Sequence, residues 1–261
     1  MHIAIIGNGA IGQYVQQHAR AAGHRIEALI VKPSRLNEAD DRTLRIAEVV
    51  NLPTATQCVL DCAGHTALRQ YGPELLRAGV DVITVSLGAL ADESLHEDLA
   101  SAARDGGARL HLASGAIGAL DALRAARVGG LDSVTYIGRK PPQGWAGSPA
   151  QDTLNLDALQ GEAQTHFEGS ARAASINYPK NANVAAAVAL AGIGFDATRV
   201  ALIADPNVHE NIHEIVARGR FGEFKFEIRG RSLPDNPRSS ALAAMSVLAK
   251  LAQQHEPIVI G

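Results

Sequence analysis

Side chains that can donate, accept or hold a proton are concentrated in four polar or glycine-rich stretches. These are CAGH (Cys62–His65), SGAIGALDA (Ser114–Ala122), YPKNANVA (Tyr178–Ala185) and DPNVHENIHE (Asp205–Glu214). A simple connector between helices and strands would not need such side chains. In an open α/β sheet, ligands bind beyond the carboxyl ends of the strands, and the first two stretches begin at such ends. We therefore expect these two stretches to line one cleft.

The fourth stretch contains the main candidate for acid–base chemistry. If Asn211–Ile215 is extended, the period of two residues places Asn211 and His213 on one face, with His209 continuing the row. An imidazole with a pKa near 6.5 can remove a proton or activate a water near neutral pH. The chain has ten histidines, most of which must be exposed or hydrogen-bonded in structural roles. Spacing alone therefore leaves His65 and His209 as alternatives to His213.

A glycine-rich turn near the first residue predicts a dinucleotide site. HIAIIGNGAIGQYV places Gly7, Gly9 and Gly12 after a predicted strand and at the start of a predicted helix. Gly7 can make the turn, Gly9 can let a pyrophosphate approach, and Gly12 can let the helix pack on the strand. The alternative is a tight turn without a ligand. The predicted coenzyme contacts are Gly7, Gly9, Ala10, Ile11 and Gly12, with Cys62 and Ala63 from a later turn.

The residues after the second predicted strand bear on the choice of coenzyme. An acidic residue is expected about 20 residues beyond the glycines, where it would bind the adenosine ribose of NAD. It is absent, and the strand ends in ALIVKPSR. Lys32, Ser34 and Arg35 suit the 2′-phosphate of NADP, because cations and a hydroxyl can pair with it. We predict that NADP is accepted and leave NAD open; the alternative is solvated charge on a loop.

The elements that position these residues fall into two groups, of which the first covers residues 1–114. Short apolar strands alternate with helical stretches there, as in a Rossmann-type, doubly wound parallel sheet. The predicted helices include Ile11–Ala22 and Ser94–Arg104, the latter with a capping box at Ser94 and Glu97. The predicted strands are Ile3–Ile6, Ile26–Val31, Cys58–Cys62, Val80–Val85 and Ala108–Leu112.

Residues 115–237 predict a smaller α+β domain for substrate binding and dimerisation. The expected elements are a helix at Ala119–Arg127, a strand at Ser133–Ile137, a loop KPPQGWAGSP across an open face, a long Ala-rich helix after Asn183 and a strand FKFEIR. FKFEIR alternates apolar and charged residues, as a strand with one buried face does. Residues 238–261 predict a final helix that packs back on the first domain, with Leu242, Met245, Leu248 and Leu251 at helical spacing.

Composition favours a small-molecule partner. The 261 residues are 46% hydrophobic and 20% charged with a net charge of −3, which argues against nucleic-acid and membrane partners. Cys58 and Cys62 would lie about 13 Å apart in one strand, too far for a disulfide, which predicts reduced thiols in the cytoplasm. No apolar run is long enough for a membrane span, and no residue spacing suggests a metal site.

Taken together, these segments resemble the L-aspartate dehydrogenase family over nearly the whole chain. The matching phrases are GNGAIG, DCAGH, VSLGALAD, SGAIGALDALRAA, GRKPP, NANVAAAVALAGIG, DPNVHENIHEI and NPRSS. The resemblance implies reversible oxidation of L-aspartate by NAD or NADP through iminoaspartate, which hydrolyses to oxaloacetate and ammonia and can feed NAD biosynthesis. It also implies a homodimer, an active-site histidine at His213 and cofactor contacts at Ala116 and Asn183.

Two carboxylates on the substrate call for cationic or hydroxyl donors around its Cα. The candidates are Lys140, Lys180, Asn211, Asn236 and Ser240, each of which also has an ordinary structural reading. Two rival functions stay open at this point. One is another two-domain reductase, similar to homoserine dehydrogenase or dihydrodipicolinate reductase, and the other is a noncatalytic NAD(P)-sensing module.

Overall fold

The chain divides into two compact units. The computed structural model describes residues 1–38, 43–179, 181–233 and 236–258, with the backbone alone for 236–239. One unit comprises Met1–Ala113 together with the C-terminal segment from Ala243 onward. The other comprises Ser114–Leu242. The chain thus leaves the first unit once and returns to it once.

The first unit is built on a parallel sheet of six strands in the spatial order β3-β2-β1-β4-β5-β6. The order reverses between β1 and β4, which is the topological switch point of a Rossmann-type fold and confirms the predicted fold class. The strands are β1 (His2–Ile6), β2 (Arg25–Ile30), β3 (Leu44–Ile46), β4 (Cys58–Asp61), β5 (Asp81–Thr84) and β6 (Leu110–Leu112). Five strands were predicted; β3 was missed because three residues are too few to display alternation.

Helices cover this sheet because its strands are apolar on both faces. They are α1 (Ala10–Ala21), α2 (His65–Arg77) and α3 (Glu93–Gly106), joined by the C-terminal helix α8 (Ala241–Ala252). Val15 of α1 and Val247 and Leu251 of α8 share one buried cluster with Ile3 and Ile5 of β1. The final helix therefore completes the core that the first strand begins.

The capping box predicted for α3 is wrong. The helix begins one residue earlier, at Glu93, and its N-cap is Asp92. The Asp92 carboxylate accepts hydrogen bonds from the backbone N–H groups of Ser94 and Leu95. Aspartate is as good an N-cap as serine, and here it precedes Ser94 by two residues.

The second unit contains a mixed sheet of five strands in the order β11-β10-β7-β9-β8, which agrees with the predicted α+β class. Its strands are β7 (Leu131–Lys140), β8 (Gln164–Ser170), β9 (Arg199–Ala204), β10 (Asn211–Gly219) and β11 (Gly222–Gly230). Its helices are α4 (Leu120–Gly129), α5 (Ala150–Thr153), α6 (Ala171–Asn177) and α7 (Asn183–Ala191), and a small hairpin pairs β12 (Ser232–Leu233) with β13 (Asn236–Ser240). Strand β7 pairs antiparallel with β10 and parallel with β9.

The stretch KPPQGWAGSP is not a loop across an open face. It forms a 3₁₀ turn at Pro142–Trp145, and Trp145 is fully buried. The Trp145 indole Nε1 donates a hydrogen bond to the carbonyl of Ile203, 3.0 Å away. Proline and glycine predict the turn, but burial of the large indole fixes the stretch against the sheet.

Two helical expectations need correction. The Ala-rich helix α7 is only nine residues long, and nearly all of its residues are buried. In α8 the buried row includes Ala244, Val247 and Leu251, whereas Met245 is 44% exposed. The helix is apolar on more than one side, so spacing alone did not identify the face that packs.

Candidate active site

The glycine turn joins β1 to α1 and is closely packed at two of its three glycines, Gly7 and Gly12. Gly7 has a φ of +93°, and a Cβ placed there would lie 2.8 Å from the Cβ of Ala63. A Cβ on Gly12 would lie 2.3 Å from the carbonyl oxygen of Gly7. Neither contact is sterically possible, so both positions exclude any side chain.

Gly9 differs from its neighbours because it faces open space. A Cβ at this position would meet no atom within 4 Å. Gly9 is also the N-cap of α1, and in this fully described turn no side chain caps the helix and no acidic residue occupies its first turn. Uncapped N–H groups at the positive end of a helix bind phosphate, so the turn fits the pyrophosphate of a dinucleotide.

A buried carboxylate that the sequence analysis overlooked holds the loop opposite Gly7. Asp61 ends β4, is fully buried and accepts hydrogen bonds from the Ala63 N–H at 3.0 Å and from the hydroxyls of Thr84 and Ser86 at 2.7 Å. Burial raises the pKa of Asp61 above its usual range. The residue links the ends of β4 and β5 and thereby positions Cys62 and Ala63, two predicted coenzyme contacts.

The two cations predicted to bind a 2′-phosphate occupy different surroundings. Lys32 is exposed. Arg35 is half-buried and donates to the carboxylate of Glu38 at 2.6 Å. Arg35 and Glu38 line a cavity of about 680 Å³ that reaches Asn8 of the glycine turn.

In the second unit, His213 lies on β10, between β11 and the central strand β7. It is 4% exposed and pairs in register with Gly138 of β7. The hydroxyl of the fully buried Tyr136 is hydrogen-bonded to His213 Nδ1 at 2.8 Å. A Cβ on Gly138 would lie 2.7 Å from that hydroxyl, so the bond requires glycine there. Tyr136 fixes the ring and leaves Nε2 for a ligand.

Lys140 lies on the same face of β7 as Gly138 and Tyr136, because alternate residues of a strand point the same way. Its ammonium donates to the side-chain oxygen of Asn181 at 2.9 Å and lies 4.7 Å from the centre of the Trp145 ring. Burial lowers the pKa of Lys140 to about 8. An ammonium buried beside neutral partners is prepared for an anionic ligand.

Two imidazoles lie within the electrostatic range of Lys140. Burial and then the charge of Lys140 lower the pKa of His213 to about 3 and that of His166 to about 4. His166 of β8 is hydrogen-bonded through Nδ1 to the Tyr178 hydroxyl at 3.2 Å. Both rings are therefore neutral near pH 7, so Lys140 supplies the positive charge of this cluster.

Other predicted residues are placed as follows. Asn211 lies on β10, on the same side as His213, and Asn183 is the first residue of α7. Ala116 is buried in the segment that follows β6, and the buried hydroxyl of Ser240 has no hydrogen-bond partner among the described residues.

The remaining candidates lie elsewhere. His209 is exposed in a bend before β10 and does not continue its polar row, and His65 begins α2 in the first unit. Lys180 lies outside the described residues, and for Asn236 the backbone alone is described.

Sequence reasoning missed Tyr136, His166 and Asn181. The one available signal was that Tyr136 shares its strand parity with Lys140. Across the described ranges, no group of three or more histidine, cysteine or acidic residues could hold a metal ion. Likewise, no helix in the described part of the chain is long and apolar enough to span a membrane.

The first unit defines the class of protein. Residues 7–113 match the family model described as the homoserine dehydrogenase NAD binding domain. With the strand order and the open glycine turn, this match places the chain among the oxidoreductases that use NAD or NADP.

The second unit and the full-length relatives then identify the family. Residues 121–254 match the model described as aspartate dehydrogenase, C-terminal. An L-aspartate dehydrogenase from Ruegeria pomeroyi is 54% identical over 97% of this chain and 92% of its own length. One from Pseudomonas aeruginosa is 42% identical over the whole of both chains. The chain belongs to the aspartate dehydrogenase family.

Solved structures agree with this assignment. The aspartate dehydrogenase from Thermotoga maritima has a TM-score of 0.81 and 28% identity, covering 100% of this chain and 99% of that one. A dihydrodipicolinate reductase from Paenisporosarcina sp. TG-14 has a TM-score of 0.53 at 14% identity, covering 97% and 92% of the two chains, which shows a shared fold alone. The comparisons therefore do not favour the rival reductases.

Proposed function

We propose that this protein oxidises L-aspartate with NAD or NADP to iminoaspartate, which water converts to oxaloacetate and ammonia. The observation that carries the proposal is the cluster around Lys140, whose partly buried ammonium contacts the Asn181 amide and is close enough to the buried imidazole of His213 to lower its pKa. Family membership supports the same reaction. The relatives named L-aspartate dehydrogenase match the chain over nearly its whole length.

Lys140 is the residue that we assign to a substrate carboxylate. Lys140 is partly buried, and its ammonium contacts the Trp145 ring and Asn181. A carboxylate that enters this environment forms a charge-assisted hydrogen bond that is stronger than the same pair in water. An amino acid with a second carboxylate in its side chain therefore fits better than one with an uncharged side chain, such as homoserine.

His213 is the residue that we assign to proton transfer. The ring is neutral before substrate binds, because burial and Lys140 oppose its protonation. A carboxylate bound at Lys140 offsets that positive charge and raises the pKa of His213, which makes the imidazole a better base. The base removes a proton from the substrate ammonium, and the same ring can then direct a water to the imine carbon.

A nicotinamide coenzyme, its pyrophosphate held at the open turn around Gly9, would supply the acceptor for the hydride and its two electrons that leave the substrate Cα. The free amine of the substrate becomes an iminium as that hydride leaves. Water adds to the imine carbon, and ammonia departs as the carbonyl forms. The same residues serve the reverse reaction from oxaloacetate and ammonia.

The test is the initial rate of coenzyme turnover, measured as reduction of NAD or NADP with L-aspartate or homoserine and as oxidation of NADH or NADPH with a cyclic imine. We expect turnover with L-aspartate. Turnover with homoserine or the cyclic imine, and none with L-aspartate, would favour a rival reductase. Coenzyme binding without turnover in either direction would indicate a sensor.

In the same assay, His213→Asn should lower kcat by about 100-fold with little change in coenzyme affinity. His209→Asn is the matched control, because His209 is exposed and lies outside the strand. An active His213→Asn variant would remove His213 from the mechanism.

We also propose that the protein is a cytoplasmic homodimer. Ile137 and Val216 are half-buried on the sheet face opposite His213, where a second copy can cover them. Cys58 and Cys62 are free thiols, as is usual in a reducing compartment. Sedimentation of the purified protein tests the dimer, and Ile137→Glu should yield monomers.

A further inference from the structure

The cavity beside the glycine turn has an unusual charge distribution. Among the described residues, its lining combines three arginines with one carboxylate and several amides, namely Asn8, Gln13, Gln16, Gln17, Arg20, Arg35, Glu38 and Arg45. Three cations against one anion favour a negatively charged ligand. Asn8 belongs to the turn that fits a pyrophosphate, so the cavity adjoins the coenzyme site.

Glu38 is the centre of this arrangement. One carboxylate oxygen accepts a hydrogen bond from Arg35 Nε at 2.6 Å, and the other lies 3.3 Å from Arg45 Nη1. The same Arg45 nitrogen also donates to the Arg35 carbonyl at 3.2 Å. The Arg45 side chain is only 7% exposed, so it is buried beneath the more exposed pair of Arg35 and Glu38.

Glu38 can take the role of the acidic residue that is expected after β2 to bind the adenosine ribose and is absent there. Strand β2 ends at Ile30, and no carboxylate follows it at the usual position. The short 3₁₀ turn Pro33–Arg35 redirects the chain, and Glu38 then enters the cavity that reaches Asn8. A carboxylate in this region of a Rossmann-type domain can accept a hydrogen bond from a ribose hydroxyl.

We propose that Glu38 determines the preference between NAD and NADP. Its carboxylate engages Arg35 and Arg45, accepts a hydrogen bond from the ribose 2′-hydroxyl of NAD, and repels the 2′-phosphate of NADP. The phosphate can bind only by taking Arg35 from Glu38. The two arginines give the site its capacity for NADP, and Glu38 limits that capacity. The proposal rests on the coenzyme site and not on the identity of the substrate.

The experiment is a fluorescence titration of the purified protein with NADH and with NADPH. In Glu38→Gln, the ratio of the Kd for NADPH to the Kd for NADH should fall by at least about tenfold, because like-charge repulsion is removed and Arg35 is released. Added KCl should shrink the gain, since the new contact is ionic. In Arg35→Gln, the Kd for NADPH should rise while that for NADH changes little.

Two further variants make the result specific. Glu38→Gln/Arg35→Gln should lose the gain in NADPH affinity, because the released arginine is absent. Glu223→Gln breaks another exposed carboxylate–arginine pair, between Glu223 and Arg218 at 2.5 Å in the second unit, and should alter neither Kd. An unchanged Kd ratio in Glu38→Gln, or equal weakening of both coenzymes, overturns the proposal.

Binding and turnover separate this inference from the proposed reaction. If the Kd ratio shifts as expected but L-aspartate is not oxidised, the proposed function fails and the role of Glu38 stands. If L-aspartate is oxidised and the ratio does not move, Glu38 has no part in coenzyme selection and the reaction stands.

Discussion

At the scale of single residues, the site depends on a few buried polar groups whose charge states are set by burial. Lys140 is the positive charge, and burial first, and then that charge, keep His213 and His166 neutral. Tyr136 is hydrogen-bonded to Nδ1 of His213, which leaves Nε2 as the nitrogen that we propose for proton transfer. The sequence places a histidine on a strand, but it predicts neither the protonation state of the ring nor which ring nitrogen is hydrogen-bonded.

The charge of Lys140 predicts how the activity depends on pH. Burial lowers its pKa from 10.5 to about 8, so the free enzyme loses this positive charge as pH rises through about 8. The value of kcat/KM for L-aspartate should therefore fall above that pH. In Lys140→Met the KM should rise by at least about tenfold, and this alkaline fall should vanish.

Lys225 provides the matched control for Lys140. It lies on β11, is exposed and pairs with Glu214 at 2.6 Å. Lys225→Met should keep the wild-type KM and pH profile. A Lys140→Met enzyme with a wild-type KM would show that the ammonium does not hold a carboxylate.

At the scale of elements, the turn between β1 and α1 contains one glycine that the fold requires and another that we assign to coenzyme binding. Gly7 is constrained by its positive φ and by Ala63, whereas Gly9 faces open space. The sequence predicted both roles because the motif is local: strand, turn and helix are consecutive. It could not predict that Asp61, 54 positions after Gly7, fixes the opposite loop.

Alanine at these two glycines should have opposite effects. Gly9→Ala should leave the unfolding free energy within about 0.5 kcal/mol of wild type, yet raise the coenzyme Kd at least about tenfold by filling the pyrophosphate space. Gly7→Ala should lower stability by about 1–3 kcal/mol or more, because it combines a strained φ with a clash. Thermal unfolding and coenzyme titration of both variants measure these effects, and a stable Gly9→Ala with unaltered affinity would contradict the assigned phosphate position.

At the scale of the whole molecule, residues distant in sequence create the features that sequence reasoning missed. The bond between Tyr136 and His213 joins residues 77 positions apart through the pairing of β7 with β10. Strand periodicity predicts which face each residue takes, but not which strands become neighbours. The alternating strands and helices of the first unit, and its doubly wound class, were nevertheless predictable because each step there is short.

Buried histidines also affect the stability of the whole chain. The pKa values of His213 and His166 fall from 6.5 to about 3 and about 4 in the folded state, so the unfolded chain takes up protons first as pH falls. Their contribution to stability is complete above pH 6.5 and is lost between that pH and about 3. Urea unfolding across this range should show the loss.

The control replaces both histidines by glutamine, a polar side chain that does not titrate. His166→Gln/His213→Gln should be less stable than wild type near pH 7 but should show a shallower decline between pH 6.5 and 4. A decline as steep as that of the wild type would mean that other groups dominate acid unfolding. His96→Gln, an exposed histidine of α3, should leave the slope unchanged.

Helix α8 has a consequence for synthesis on the ribosome. Val247 and Leu251 fill the same cluster as Ile3 and Ile5, so β1 lacks part of its covering until α8 has also been made. Residues Ser114–Leu242 emerge from the ribosome before α8 and can fold as a compact unit before the core around β1 is complete. The core around β1 is thus begun before the second unit is translated and completed after it.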